Sequence, residues 1–411
     1  MPDPPDNVVA SDFRPTPSRA RRSTLVADLG FVMIGWTTVL VPALILDVKA
    51  AYDQPDAGIG LFFFVLALAN MSGPIGGGLL AERIGTRVTL PAGAGLLAFG
   101  LAALALAPSW PLFLLAAIPV GIGGGVIDGG MNAVVLALSP ASRGNALNRL
   151  HLFFALGASV GPVVIGLLAS RGVAWQAIVF GSGFAAIVLM GLVVTADLPS
   201  GRPVPAGAGS PGGAGPRTRS FAPLVLLSLA IGSYVASEIG VSNWLVRFLE
   251  AAPQSVATGT LGAFWAGIAV GRLVSSRIAD RFDPIGYAAT CAFGASVALL
   301  AAVLVPALPL AVVLFALTGL LSGPVYPMIM AIAGRLYPSR LSAVSGWLAT
   351  AAVAGSLVYP PLIGVISDSV GITAGMLGLG MLGLAAGAAL VSAAVVARRR
   401  GLLAETARVA G

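Results

Sequence analysis

The sequence predicts an all-α polytopic membrane protein, with 12 transmembrane helices arranged as two pseudo-symmetric six-helix bundles. Three observations carry this prediction. First, 57% of the 411 residues are hydrophobic and 9% are charged, with a mean hydropathy of +0.95. An ordinary soluble domain carries about 25% charged residues. Second, apolar runs of about 20 residues, the length that crosses a bilayer, recur along the whole chain. Third, two residue patterns of the first half return in the second half at nearly equal offsets. The composition excludes a soluble globule and a disordered chain. Cys291 and His151 are the only residues of their types, which excludes a disulfide scaffold and leaves no donor set for a zinc or iron–sulfur centre. No metal or cofactor is expected. In lipid the backbone must satisfy its own polar groups, so each apolar run must be a helix or part of a closed barrel. A barrel needs alternating strands of roughly 10 residues, and the sequence has no such segments.

The elements follow in order. Residues 1–24 are polar and proline-rich and are expected to form a cytoplasmic tail. The apolar run over 25–46 is too long for a cleavable signal and lacks a small-residue cleavage site, so it is the first span. Asp28 and Asp47 fall at its two ends. Spans two to six are expected over 57–80, 88–106, 111–138, 150–168 and 173–194, completing an N-terminal bundle over 25–196. Residues 197–220 contain five prolines and six glycines, a composition that reads as a flexible cytoplasmic linker. Spans seven to twelve are expected over 221–245, 258–274, 285–305, 308–333, 341–366 and 372–396, a C-terminal bundle over 221–396. Residues 397–411 form a second cytoplasmic tail. The basic residues set the orientation. Assigned alternately to the two sides, they split 20 to 3, and only Lys49, Arg171 and Arg247 fall on the poorer side. By the positive-inside rule both termini are cytoplasmic, in a cell membrane. The net charge of +7 is therefore topological, and nucleic acid is not an expected partner.

The repeated patterns are specific. Gly157, Pro162 and Gly166 in span five return as Gly355, Pro360 and Gly364 in span eleven, 198 residues later. Gly161 precedes the first proline. The turn after span two, Leu80-Ala81-Glu82-Arg83-Ile84-Gly85-Thr86-Arg87, has a counterpart after span eight, Val274-Ser275-Ser276-Arg277-Ile278-Ala279-Asp280-Arg281, 194 residues later. A duplicated six-helix unit is the mark of alternating-access transporters. The first turn, read from Gly78 to Arg87, resembles the glycine–acid–arginine loop of the major facilitator superfamily. Glu82 stands where that family usually has Asp, and Thr86 where it has a basic residue. The resemblance implies that Gly78, Glu82, Arg83, Gly85 and Arg87 form a cytoplasmic gate element. The bland alternative is a basic turn on the cytoplasmic side.

Two acids remain deep in the predicted spans. Asp128 lies in span four among six glycines, with Asn132 one turn later on the same face. The glycines permit close helix approach and leave room for a solute. A carboxyl in lipid is costly, which marks Asp128 as a protonation or solute site; the alternative is a structural hydrogen bond. Glu238 lies in span seven with Tyr234 and Ser242 one turn to either side. It could bind solute hydroxyls, take a proton, or pair with Arg247. His151, the lone histidine at the start of span five, is a proton carrier or only an interfacial cap. Asn243, Trp244, Trp36, Trp265 and Tyr326 fall within spans, where they could line a solute site or pack the core.

Three stretches point to a branch. Gly121 to Asn132, His151 to Pro162, and Tyr234 to Leu245 resemble the fucose permease-like group and the related sodium-dependent glucose transporters. That resemblance implies a sugar-like solute, an acid–Asn pair at Asp128 and Asn132, and coupling to a proton, with sodium as the other candidate ion. Those permeases carry a first-span acid four residues before a proline. Here Thr38 precedes Pro42, so the resemblance hands that role to Glu238. Gly157, Gly161 and Pro162 also partly resemble the drug–proton antiporter signature, with Asn148 where that signature has a glycine. The expected function is therefore secondary active transport of a small polar, sugar-like solute by a monomer. Proton-driven efflux of an amphiphilic compound is the second reading, and a non-transporting membrane sensor the third. With one His, one Cys and no nucleotide-binding motif, the chain is not expected to be an enzyme.

Overall fold

A computed structural model of the chain describes residues 17–139, 143–198 and 221–399. The expected linker lies outside the described residues from 199 on, as do most of both tails. The described chain is almost wholly helical: α1 (Pro17–Ala43), α2 (Ile45–Tyr52), α3 (Asp56–Ile84), α4 (Thr86–Leu106), α5 (Trp110–Leu138), α6 (Arg143–Ser170) and α7 (Trp175–Val194) come first. After the linker come α8 (Phe221–Phe248), α9 (Gln254–Ile278), α10 (Pro284–Leu304), α11 (Leu308–Ser322), α12 (Val325–Leu336), α13 (Leu341–Val370) and α14 (Ile372–Arg399). Twelve helical segments are long and apolar enough to span a bilayer, with α11 and α12 sharing one and α2 in none. Large apolar side chains such as Phe99, Phe184 and Ile75 stay two-thirds exposed, as a lipid-facing surface requires.

Three boundaries depart from the sequence expectation. The first helix begins at Pro17, inside the expected tail, so Asp28 lies within the span and not at its end. There it is buried and ion-paired with Arg149 of α6. Span eight runs from Gln254 to Ile278, beyond the expected 258–274 at both ends, and Arg272 lies inside it although its charge is assigned above to the cytoplasmic side. Span ten breaks at Gly323 and Pro324, between α11 and α12. Proline has no N–H to continue the ladder, so a helix tends to break or kink there.

Close packing comes from glycine. Beside Gly121 a Cβ would sit 2.6 Å from the Leu66 carbonyl, and at Gly123 it would sit 2.7 Å from the Gly93 carbonyl. The glycine run around Asp128 thus seats α5 against α3 and α4. The space expected for a solute there is filled by neighbouring helices.

The repeat is visible in the same way. Gly157 of α6 lies against the Val32 carbonyl of α1, and Gly355 of α13 against the Gly232 carbonyl of α8. One further turn or more along, Gly166 meets Thr258 of α9 and Gly364 meets the Asp56 carbonyl of α3. In each half the first glycine packs on its own bundle's first span, and the last on the other bundle's second span. Gly161 packs on Val39 and Trp36 of α1.

Twelve crossings return the chain to its starting side, so both ends of the described chain lie on one face. The opposite face is called distal here. All the cross-bundle glycine contacts lie toward the distal ends of α3, α6, α9 and α13. Tyr52, Phe113, Trp110 and Trp175 form an aromatic cluster at that end, with Trp110 and Phe113 stacked at 5.5 Å.

Candidate functional site

Two polar assemblies lie between the bundles. The first is a distal latch. Asp56, at the start of α3, is buried and ion-paired with Lys49 and with Arg247 of α8, whose Nε donates to both carboxylate oxygens at 2.9 and 3.1 Å. The Ser367 hydroxyl of α13 donates to Asp56 at 2.5 Å. Asp368 accepts the backbone N–H of Asp56 at 3.0 Å and that of Ala57 at 2.8 Å. A carboxylate from one bundle therefore caps the positive helix end of the other. Gln254 of α9 adds a 2.8 Å bond to Asp47. The cross-bundle hydrogen bonds of Asp56, Ala57, Arg247, Gln254 and Ser367 all belong to this distal assembly. Sequence reasoning missed it because its members read one by one as loop or span-end charges. It also corrects one expectation: Arg247 is taken by Asp56 and Glu250, and not by Glu238.

At the end that carries the termini, the turn from Gly78 to Arg87 makes no cross-bundle bond among the described residues. Gly85 adopts φ 86°, the left-handed region that closes the turn between α3 and α4. Arg87 donates to Asp197 at 2.9 Å and to the Leu198 carbonyl at 3.3 Å, both within the first bundle. Glu82 and Arg83 are exposed, with no side-chain hydrogen bond or ion pair among the described residues, and a Cβ at Gly78 would meet nothing within 4 Å.

The second assembly is central. Asn132 donates its Nδ2 to Asp128 Oδ1 and to the Asp128 carbonyl, both at 3.0 Å. Across the interface the Tyr234 hydroxyl meets the Glu238 carboxylate and the Ser322 carbonyl, the latter at 2.9 Å beside the α11–α12 break. Tyr326, half-buried on α12, lies within electrostatic reach of Glu238, Arg272 and Asp128 together. Arg272 of α9 also interacts with the Tyr234 hydroxyl and with His151. His151 packs edge-on to Phe31 at 5.4 Å and is solvent-exposed. Arg272 of the other bundle lies within electrostatic reach of it. Asp128, Asn132, His151, Tyr234, Glu238 and Tyr326 thus converge.

The remaining candidates sit elsewhere. Trp244 is fully buried, donates to the Pro360 carbonyl at 2.7 Å and packs edge-on to Phe63 at 5.7 Å. Trp265 is fully buried, bonds the Ser242 hydroxyl at 3.0 Å and meets Phe154 at 5.5 Å. That pair joins the two bundles distal to the polar centre. Trp36 donates to Ser182 at 2.9 Å within the first bundle, and Asn243 is buried on α8.

Arg272 is the residue that sequence reasoning passed over. It was counted with the loop charges that set orientation. The signal was present, because Arg272 lies inside the apolar run over 258–274. A charge at the centre of a span costs about 2.5–3.5 kcal/mol on the insertion scale, which calls for a partner or a use.

The sequence profile of the Major Facilitator Superfamily matches residues 29–308 and again 226–409. The chain is 26% identical to the 3-(3-hydroxy-phenyl)propionate transporter of Escherichia coli (strain K12), over 80% of this chain and 83% of that protein. It is 31% identical to a glucose/galactose transporter of Brucella abortus biovar 1 (strain 9-941), over 36% of this chain and 37% of that one. The chain thus spans most of the first relative's length and little more than a third of the second's. Among solved structures it is similar to a bacterial homologue of the human lysosomal transporter Spinster, in an inward-facing and occupied conformation. The TM-score is 0.76, with 17% identity, covering 93% of this chain and 98% of the other.

Proposed function

The chain belongs to the Major Facilitator Superfamily, and from that premise we propose that it moves a small polar, sugar-like solute across the cell membrane by alternating access, driven by protons. Membership makes it a multi-pass membrane transporter and not an enzyme. The finer reading rests on one observation. The polar groups of both bundles converge at the centre, while the bonds that join the bundles lie at the distal end. A solute at that centre is sealed from the distal side and reachable from the other. With Arg272 set aside as intramembrane, 19 of the 23 basic residues remain on the side of the termini, so that side is cytoplasmic and the conformation inward-open. The turn from Gly78 to Arg87 then serves as the gate of the opposite, outward-open state.

Hydroxyl recognition supports the sugar-like reading. Asn132, Tyr234, Tyr326 and the two acids offer donors and acceptors suited to a polyol. The Brucella relative is named for glucose and galactose, and the Escherichia coli relative for a hydroxylated aryl acid. Asp128 is the coupling group, since its side-chain hydrogen-bond partner among the described residues is the neutral amide of Asn132. Taking a proton removes the charge that resists passage through an occluded state. Glu238, which accepts from the Tyr234 hydroxyl, is the second coupling group, and His151 the nearby carrier. The working unit is a monomer with no cofactor.

Uptake of labelled sugars into proteoliposomes tests this. Accumulation that depends on an inward acid gradient is expected. Accumulation that follows a sodium gradient alone, or none above empty vesicles for any solute of a broad panel, would overturn it.

A further inference from the structure

We propose that Arg272 is a carboxylate-binding residue, so that the solute carries an acidic group gripped by this guanidinium at the polar centre between the bundles. The inference rests on the reading of that centre as the solute site, and it narrows the solute class to hydroxylated organic acids.

Among the described residues, the other charges buried within the spans each have an ionic or hydrogen-bonded partner. Asp28 is paired with Arg149. Asp56 is paired with Lys49 and Arg247. Asp128 is held by Asn132, and Glu238 by Tyr234. Arg272 has no carboxylate within ion-pair distance among the described residues, and its Nε is buried with no hydrogen-bond partner. An arginine cannot shed its proton to escape this cost, because the delocalised guanidinium stays protonated in proteins. Its five N–H groups form a fixed fork that matches the two oxygens of a carboxylate.

The surroundings fit a bound anion. Tyr234 lies between Arg272 and Glu238, so the one acid near the guanidinium is already engaged through a shared hydroxyl. Tyr326 and His151 approach Arg272 from α12 and from the other bundle's α6. Both can donate to the far side of a bound acid or to hydroxyls on its body. Toward the distal end, Trp265 and Phe154 close the space, two helical turns above Arg272 along α9. A neutral sugar would leave the guanidinium with the Tyr234 hydroxyl and no carboxylate. A sugar acid or hydroxylated aryl acid would supply that carboxylate.

The test uses the purified full-length protein and ligand-induced thermal stabilisation with matched probes. The pairs are D-galacturonate against D-galactose, and benzoate against benzyl alcohol. In at least one pair the acid is expected to stabilise the protein at about tenfold lower concentration than its neutral counterpart. Arg272→Gln should abolish that preference. Arg272→Lys, which keeps the charge but loses the fork, should weaken acid binding by about tenfold, and it decides the matter if the glutamine variant does not purify in monodisperse form. The proposal is overturned by equal binding within both pairs, by no stabilisation from either acid, or by a preference that survives in the variants. Gradient-driven uptake of galactose by both wild type and Arg272→Gln would sink this inference and leave the transport reading intact. Acid-selective binding without gradient-driven uptake would do the reverse.

Discussion

Asp128 and Glu238 stand on opposite bundles, yet both come within electrostatic reach of one hydroxyl, that of Tyr326. Their isolation in apolar spans was legible in the sequence, since a charge in lipid is rare without a use. Their convergence was not, because no local spacing relates α5 to α8. For Asp128→Asn the expectation is loss of uphill uptake with solute exchange preserved, since the amide keeps the shape and the bond to Asn132 but cannot carry a proton. Counterflow measured beside gradient-driven uptake checks this, and a variant that still accumulates solute would remove Asp128 from coupling. Arg272 shows the opposite failure of reading. It was visible as an arginine in an apolar run, but a count of loop charges absorbed it.

At the level of single helices, glycine decides how near two backbones come. The repeated Gly-Pro-Gly pattern was legible, and its use follows from position. Gly166 makes room on α6 for the Thr258 side chain of α9, and Gly364 brings α13 onto the backbone of α3 at Asp56. Replacing either with leucine should hold the distal seam apart. The expected outcome is greater distal accessibility and lower thermal stability, with overpacking costing about 1–3 kcal/mol. Size-exclusion thermostability read beside cysteine accessibility separates the two effects. The α9–α11 pair has similar contacts, and at Gly319 a Cβ would overlap the Phe264 carbonyl. Gly319→Val should destabilise the second bundle by a comparable amount without altering distal accessibility. The break at Gly323 and Pro324 was not foreseen, although the dipeptide signals it. An uninterrupted hydrophobic run masked it, because hydropathy measures lipid preference and not backbone continuity.

Across the whole molecule, the distal latch holds one conformation. Asp56 gathers Lys49, Arg247 and Ser367, and Asp368 caps α3 from the other bundle. Removing one member of a buried charge cluster leaves the others unmatched, which typically costs about 3–5 kcal/mol. Asp56→Asn should therefore shift the population toward a distally open state. Spin-label distances between the distal ends of α3 and α13 should lengthen, and an unchanged distance distribution would show that the seam is held by packing alone. A cross-link tests the motion directly. Asp47 and Gln254 touch across the bundles, and the only native cysteine, Cys291, is buried. Joining the pair as Asp47→Cys and Gln254→Cys should stop uptake, and reduction should restore it.

The number of spans, their order, the duplicated pattern and the side favoured by arginine were all readable from the chain. Lipid offers the backbone no hydrogen bonds, so each span must be a self-satisfied helix of set length, and that requirement is local. Which charges meet is not local. Asp56 and Asp368 are 312 residues apart, and Tyr234 and Ser322 are 88 apart. Such pairs exist only once the bundles have packed. Whether an ionisable group is latched, capped or left open to a solute depends on which helix lies opposite. That juxtaposition made Asp56 a latch and left Arg272 without an ion pair at the centre.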